Sequence, residues 1–197
     1  GSYIYLSKQR SGSPTGATIV QDDDLIGSIL FTAGDGTDVT SRIAEIKGMV
    51  DGTPGSNDTP GRLSFWTTAD GAQSSTERLR IDSSGRLGLG QATPVSKLHI
   101  SESGSNTINI QLTNATTGHT YGSDGMTIGY SSNSSVGFIN VAESSSGFTI
   151  KTGGTGTANE RLRITSAGKV GIGSDNPTQK LDVATGGNAF IKLGQDS

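Results

Sequence analysis

Trp66, His119, Tyr121 and Tyr130 are the side chains whose types suit a sugar ligand. An exposed aromatic face stacks on a pyranose ring, and Asn, Asp and Ser around it supply hydrogen bonds. Trp66 is the only tryptophan in the chain. Its parity is opposite to that of Leu63 and Phe65, so it reads as facing outward. Tyr121 and Tyr130 lie in the stretch least like the rest of the chain, where a specific function would be inserted. His119 stands in the loop-like run Thr116-Thr117-Gly118-His119-Thr120-Tyr121. Each has a structural reading beside the functional one: an aromatic ring next to a strand often only caps a groove between packed chains.

Other chemistries find weaker footing. Asp22-Asp23-Asp24 and the loop 51–61, with Asp51, Asn57 and Asp58, carry hard oxygen donors. No spacing matches an EF-hand, so a solvated acidic turn is the expectation and no metal is assigned. Asp24, Glu45 or Glu143 could belong to a glycosidase pair, which needs two carboxyls held roughly 5–9.5 Å apart. Nothing in the sequence places them so. His99 and His119 complete a Ser/His/Asp set only on paper, because no nucleophile-elbow motif accompanies them. Gly85-x-x-Gly88-x-Gly90 reverses the order of a dinucleotide fingerprint and sits between strands, so its glycines read as structural. The expectation is a protein without catalysis and without a cofactor.

Composition bounds what can position any site. The chain has 197 residues, of which 81 are Gly, Ser or Thr. Ile, Val, Leu and Phe make up about 21%, close to the range where a chain cannot fill a core of its own. The net charge is only -3, so repulsion does not keep the chain unfolded. Absence of cysteine removes disulfides and thiolate chemistry. Fifteen Lys and Arg against 18 Asp and Glu argue against nucleic acid as a partner. The short apolar runs argue against membrane insertion by a helix, and no secretion signal is read at the start. Gly1-Ser2 reads as the remnant of a cleaved tag, and the chain as a piece of a longer protein.

A repeat organises the elements. Residues 77–100 align without a gap on residues 160–183, with 12 of 24 positions identical. Glu77-Arg78-Leu79-Arg80-Ile81 recurs as Glu160-Arg161-Leu162-Arg163-Ile164, and Phe65 and Phe148 share the 83-residue offset. Leu79, Ile81, Leu87 and Leu89 share one parity and Arg78, Arg80 and Arg86 the other, the mark of half-buried strands. Asp82-Ser83-Ser84-Gly85 is a turn set between two of them. A turn around Pro94 (Pro177 in the second copy) leads to a further strand at residues 97–100 (180–183). Tyr3–Leu6, Ile29–Thr32, Asn106–Leu112 and Gly137–Val141 read as strands. Ser41–Val50 also fits a helical stripe and is taken as a strand because Gly48 interrupts a helix. The repeat divides the chain into modules at 3–100 and 101–183, with 184–197 opening a third that is cut short.

One thin apolar face per module buries too little to offset backbone ordering, roughly 1–2 kcal/mol per residue. Lone sheets would also leave open edges. The expectation is an all-β, intertwined homotrimeric fibre of short strands, of triple β-helix or β-prism type. Its core would be Leu79, Ile81, Leu87 and Leu89, with Leu162, Ile164, Val170 and Ile172 in the second copy. Gly88 and Gly90, repeated as Gly171 and Gly173, either admit another chain's backbone or form tight bends.

The run Pro60–Gly71, then Glu77–Ile81, Asp82–Gly90, Pro94 and Lys97-Leu98 resembles the repeat of bacteriophage tail-fibre proteins. It is most similar to fibres that end in a self-cleaving intramolecular chaperone. The resemblance covers residues 29–100 and 148–183. It implies a trimeric shaft or knob on the virion, acting outside the cell. Its partners would be a host surface receptor, a glycan by preference, and other virion tail proteins. No segment of the sequence reads as the chaperone itself. Two other classes fit the same residues: a tailspike depolymerase of host polysaccharide, and a bacterial adhesin stalk.

Overall fold

The computed structural model describes all residues except 13–15, 105, 116–117, 121–123, 133–134, 143–146, 155, 157–158 and 185–197. The expected third module therefore lies outside the described residues. The fold is all-β, and among the described residues no helix is long and apolar enough to cross a membrane. The chain forms two compact units, residues 1–108 and 109–197.

The first unit is one six-stranded sheet in chain order. Its strands are β1 (Leu25–Ala33), β2 (Ser41–Val50), β3 (Gly61–Thr67), β4 (Thr76–Ile81), β5 (Leu87–Leu89) and β6 (Leu98–Ile100). Neighbours are antiparallel up to β5, and β6 runs parallel to β5. The ambiguous segment Ser41–Val50 is a strand, paired on both sides. Tyr3–Leu6, expected as a strand, joins no ladder among the described residues, and Ile4 is 91% exposed.

Cross-strand partners share a face, so the register turns parity into two surfaces. Ile29, Ile46, Phe65, Leu79, Leu89 and Ile100 form one row across all six strands. Leu63, Ile81, Leu87 and Leu98 form a second row beside it. The opposite face carries Lys47, Ser64, Arg80, Gly88 and His99 in register.

The second unit repeats the last four strands as β10 (Phe148–Lys151), β11 (Glu160–Ile164), β12 (Val170–Ile172) and β13 (Leu181–Val183). The parallel final pair is repeated too. Ile150, Leu162, Ile172 and Val183 form one apolar row; Phe148, Ile164, Val170 and Leu181 form the other. The 83-residue offset fails in one place. Phe148 lies opposite Ile164 as Leu63 lies opposite Ile81, an offset of 85 for the leading strand. The pairing of Phe65 with Phe148 read from the sequence is therefore corrected. The equivalent paired residues Lys151 and Glu160 are two residues closer in the chain than Trp66 and Glu77, and the strand has slid by one period of the pleat.

The repeated Glu-Arg-Leu-Arg-Ile motif encodes a bulge. Residues three apart on a regular strand face opposite sides. The register skips Arg78 in β4 and Arg161 in β11, so each carries one extra residue. The skip brings Glu77 and Arg80 onto one face, where they form a two-pronged ion pair with Nη2–Oε2 at 2.8 Å. Glu160 and Arg163 do the same at 2.7 and 2.8 Å. Each bulged arginine donates to a threonine of the preceding strand or its end, Arg78 to Thr67 and Arg161 to Thr152. Its carbonyl accepts the N–H of Gly90 or Gly173.

The glycines serve bends within one chain. A Cβ on Gly88 would lie 2.1 Å from the Gln91 carbonyl oxygen, and one on Gly171 2.4 Å from that of Ser174. Gly90 and Gly173 have φ of +67° and +68°, a conformation that favours glycine. Together they return the chain through the short connection over Pro94, which is fully buried, into a parallel strand. Asp82 fixes the preceding turn by accepting the N–H groups of Ser84 (2.9 Å) and Arg86 (2.8 Å). Burial raises its pKa, and these bonds with the Arg86 side chain outweigh that, leaving it lowered. Thr165 stands in its place in the second copy, its Oγ1 accepting from Lys169 N at 3.1 Å.

The remaining strands, β7 (Ile108–Leu112), β8 (Met126–Tyr130) and β9 (Gly137–Val141), form a three-stranded sheet in that order.

The N-terminal segment is held against the first sheet as a strap. Gly27 leaves room for Leu6, whose Cβ lies 2.6 Å from where an added Cβ would stand. Asp24 accepts from Lys8 (2.9 Å), from Arg10 (2.6 and 2.8 Å) and from the Gln21 N–H. The bond from Arg10, then that from Lys8, holds the Asp24 carboxyl well below the usual carboxylate range. The expected solvated acidic turn is thus corrected: Asp24 is buried and ion-paired. Asp24→Asn is expected to release the strap, read as earlier trypsin cleavage after Lys8 and Arg10. A folded-state pKa below the unfolded one means that the tether is complete above about pH 4 and lost as pH falls further. Unchanged cleavage would show that contacts other than the Asp24 ion pairs hold the segment.

Candidate functional site

Two surfaces stand out. The first is apolar and largely open, with Leu6 of the strap covering its β1 edge at Gly27. Among the described residues, Val20 and Val50 are the buried hydrophobics that form a core. Leu63, Ile81 and Leu89 remain 42–44% exposed, as do Ile164 at 40% and Ile172 at 44%. Leu79, Leu87, Leu162 and Val170 are half-buried. All eight residues expected to form a shared core thus lie in the apolar rows.

The second surface is the polar face around Trp66. The indole N–H donates to Ser64 Oγ at 2.8 Å, and the Lys47 ammonium sits 3.8 Å from a ring centroid. Lys47 also pairs with Glu45 at 2.6 Å, and Arg42 reaches the same carboxylate at 3.2 Å. Glu45 is only 1% exposed, while the Arg42 side chain is 57% exposed. One flank of the indole is thereby engaged by a cation.

Beside this cluster lies a polar hollow of about 390 Å³. Thr40, Ser41 and Arg42 enter it from the start of β2, and Lys47 from further along the same strand. Gln73, Ser74 and Ser75 close it from the connection between β3 and β4. The first loop is fixed by its own side chains, and the second is anchored where it leaves β3. Asp35 accepts from the N–H groups of Thr37 and Asp38 and from Ser41 Oγ, which lower its carboxyl to about 2. Asp38 holds Thr40 through its N–H and hydroxyl, both at 2.8 Å. Thr68 ties the second loop back, its hydroxyl donating to the Arg42 carbonyl and its N–H to that of Ile43.

The other candidates fall elsewhere. His119 is exposed, with Nδ1 3.1 Å from Thr113 Oγ1. Tyr130 ends β8 on the face it shares with Met126 and Ile128, and is 53% exposed. The loop of His119 feeds the start of that strand, roughly 13 Å from Tyr130 at a strand's rise per residue. Tyr121 and Glu143 lie outside the described residues. Asp24 and Glu45 are both bound to cations within the chain rather than set as a carboxyl pair. Asp23 and Asp51 flank Arg62, with Asp51 at 3.1 Å, and among the described residues no metal-holding group of three or more ligands is gathered.

His99, read as plain surface because Asp182 replaces it, has a role in the loop. Val95 N donates to His99 Nδ1 at 3.4 Å, and Thr178 N donates to Asp182 Oδ2 at 3.1 Å. Both side chains accept the N–H four residues back, which is why either type serves. The hollow itself was missed by sequence reasoning: Ser, Thr and Gln are common throughout, and two separate loops build it.

No protein-family description matches the chain, and no curated protein matches it. Among solved structures, the chain is similar to the carboxy-terminal domain of the bacteriophage T5 L-shaped tail fibre with its intramolecular chaperone domain, at 14% identity and a TM-score of 0.47, over 99% of this chain and 67% of that one.

Proposed function

We propose that the chain is a structural and adhesive module of a phage tail fibre, in which three copies close their apolar faces around a common axis. The observation that carries this reading is the pair of apolar rows, left uncovered in both copies of the repeat. Water-exposed rows of Leu, Ile and Phe across a whole sheet call for a partner surface of the same kind. The strand repeat of the resembling fibres supports a second copy of this chain as that partner. Closure of triple β-helix or β-prism type would cover the sheet edges as well. The polar faces would then point outward, three times over, and weak contacts to a host surface glycan would add by avidity. In this reading the module works on the virion, outside the cell, joined to other tail proteins, and performs no catalysis.

The chain has no cysteine, so a single introduced one is unique. Leu89→Cys is expected to give covalent dimers under mild oxidation, because copies of the residue meet near the axis. His99→Cys, on the opposite face, is expected to give none. Failure of Leu89→Cys to cross-link, or equal cross-linking of both, would contradict the proposal.

A further inference from the structure

We propose that the hollow between the start of β2 and the β3–β4 connection binds an anionic saccharide, its acid group on the Arg42 guanidinium and its hydroxyls on Thr40, Ser41, Gln73 and Ser74. This deepens the adhesive reading and rests on it for purpose, though not for its test. The carboxylates close by are already engaged. Asp35 and Asp38 are bonded to N–H and hydroxyl donors of their own loop, and Glu77 is held by Arg80. Glu45 pairs with the Lys47 ammonium at 2.6 Å and with Arg42 Nη1 at 3.2 Å. The remaining guanidinium N–H groups stand at an exposed side chain that lines the hollow. A planar fork of donors matches a carboxylate or a phosphate, whereas an ammonium does not orient either. Around it Gln73, Ser74 and Ser75 carry groups that exchange hydrogen bonds with a polyol, while the Thr40 and Ser41 hydroxyls, donating to Asp38 and Asp35, can accept them. A hollow of about 390 Å³ lies within the range of small-molecule sites and admits one or two sugar rings. The loop before β2 need not be ordered on binding, because Asp35 and Asp38 already fix it, and Thr68 anchors the start of the other.

Trp66 provides the readout. It is the only tryptophan, and the Lys47 ammonium against its ring also lines the hollow. Galacturonic acid, galactose 6-phosphate and galactose differ only at C6 and are titrated against the full chain in the millimolar range, following indole fluorescence. At least one acid is expected to give a saturable change, with galactose at least tenfold weaker. The stronger acid identifies whether carboxylate or phosphate is taken. Arg42→Gln is expected to weaken that acid at least tenfold. Ser74→Tyr, which fills the hollow without touching Glu45, is expected to abolish the response. No saturable change with either acid, an equal response to galactose, or unchanged binding in both variants would overturn the proposal. Molecular mass on the same samples separates the two readings: a single chain that binds keeps the hollow and loses the trimer, and a trimer that does not bind does the reverse.

Discussion

Gly88→Ala is expected to destabilise the protein by about 3 kcal/mol, at the upper end of overpacking costs. The added methyl group would meet the Gln91 carbonyl oxygen at 2.1 Å, and this neighbour is backbone that cannot rotate aside. The cost falls on the bend that starts the connection from β5 back to the parallel β6. Loss of that bend would free β6 and with it Leu98 and Ile100, two ends of the apolar rows. In thermal unfolding followed by far-ultraviolet dichroism, the midpoint should fall by about 10 °C. Gly171→Ala, with the Ser174 oxygen at 2.4 Å, should behave alike. A midpoint within two or three degrees of the parent would mean that the bend relaxes more easily than its geometry implies.

Leu89→Asp is expected to abolish assembly. Leu89 is 42% exposed in one chain, so covering the rest of it at an interface contributes about 1 kcal/mol per copy, and three copies meet the change at once, for about 2–4 kcal/mol. An aspartate must in addition lose its hydration or expel the neighbouring chain. The association constant should therefore fall more than a thousandfold. Leu89 is 42% exposed within one chain, so the same change leaves each sheet's own pairing in place. The control is Leu30→Asp, 43% exposed but on the Glu45 face of the sheet, which should assemble as the parent does. Equal behaviour of the two variants would show that the apolar rows are not what joins the chains.

Parity was enough to assign the two faces of each sheet. Leu79, Ile81, Leu87 and Leu89 alternate with arginines, and a strand has only two sides. The Asp82–Gly85 turn was legible because Asp and Gly each have a local reason to be there. What escaped depends on partners distant in the chain or on counting by one. The bulge at Arg78 leaves the sequence intact and shifts half of a strand by one residue. Its trace is an ion pair between residues three apart, Glu77 and Arg80, which a regular strand forbids. The two-residue slide of Phe148 was hidden for a similar reason, since it preserves parity and so keeps the apolar face intact. Asp24 was read as solvated because its partners Lys8 and Arg10 lie 16 and 14 residues away. Trp66 lies opposite the apolar rows, as its parity implied, but half-buried rather than exposed. That the ring carries the Lys47 ammonium followed only from the register of β2 on β3.

The repeated residues are mostly occupied with the fold. Glu77, Arg80, Gly88, Gly90, Pro94 and Lys97 each have a counterpart in the second copy, and each closes a bulge, a bend or a turn. Lys97 donates to the Ser84 carbonyl at 3.2 Å and Lys180 to that of Ala167 at 3.4 Å. Ligand chemistry therefore has to be sought where the copies differ. Trp66 is such a position: in the shifted register Lys151 takes its place, opposite Glu160 as Trp66 is opposite Glu77.

Sedimentation equilibrium of the 197-residue chain at micromolar concentration tests the shared apolar core most directly. One chain weighs 20.1 kDa, and the account predicts a species of three times that mass that persists on dilution. A stable, cooperatively unfolding species at the mass of a single chain would contradict it.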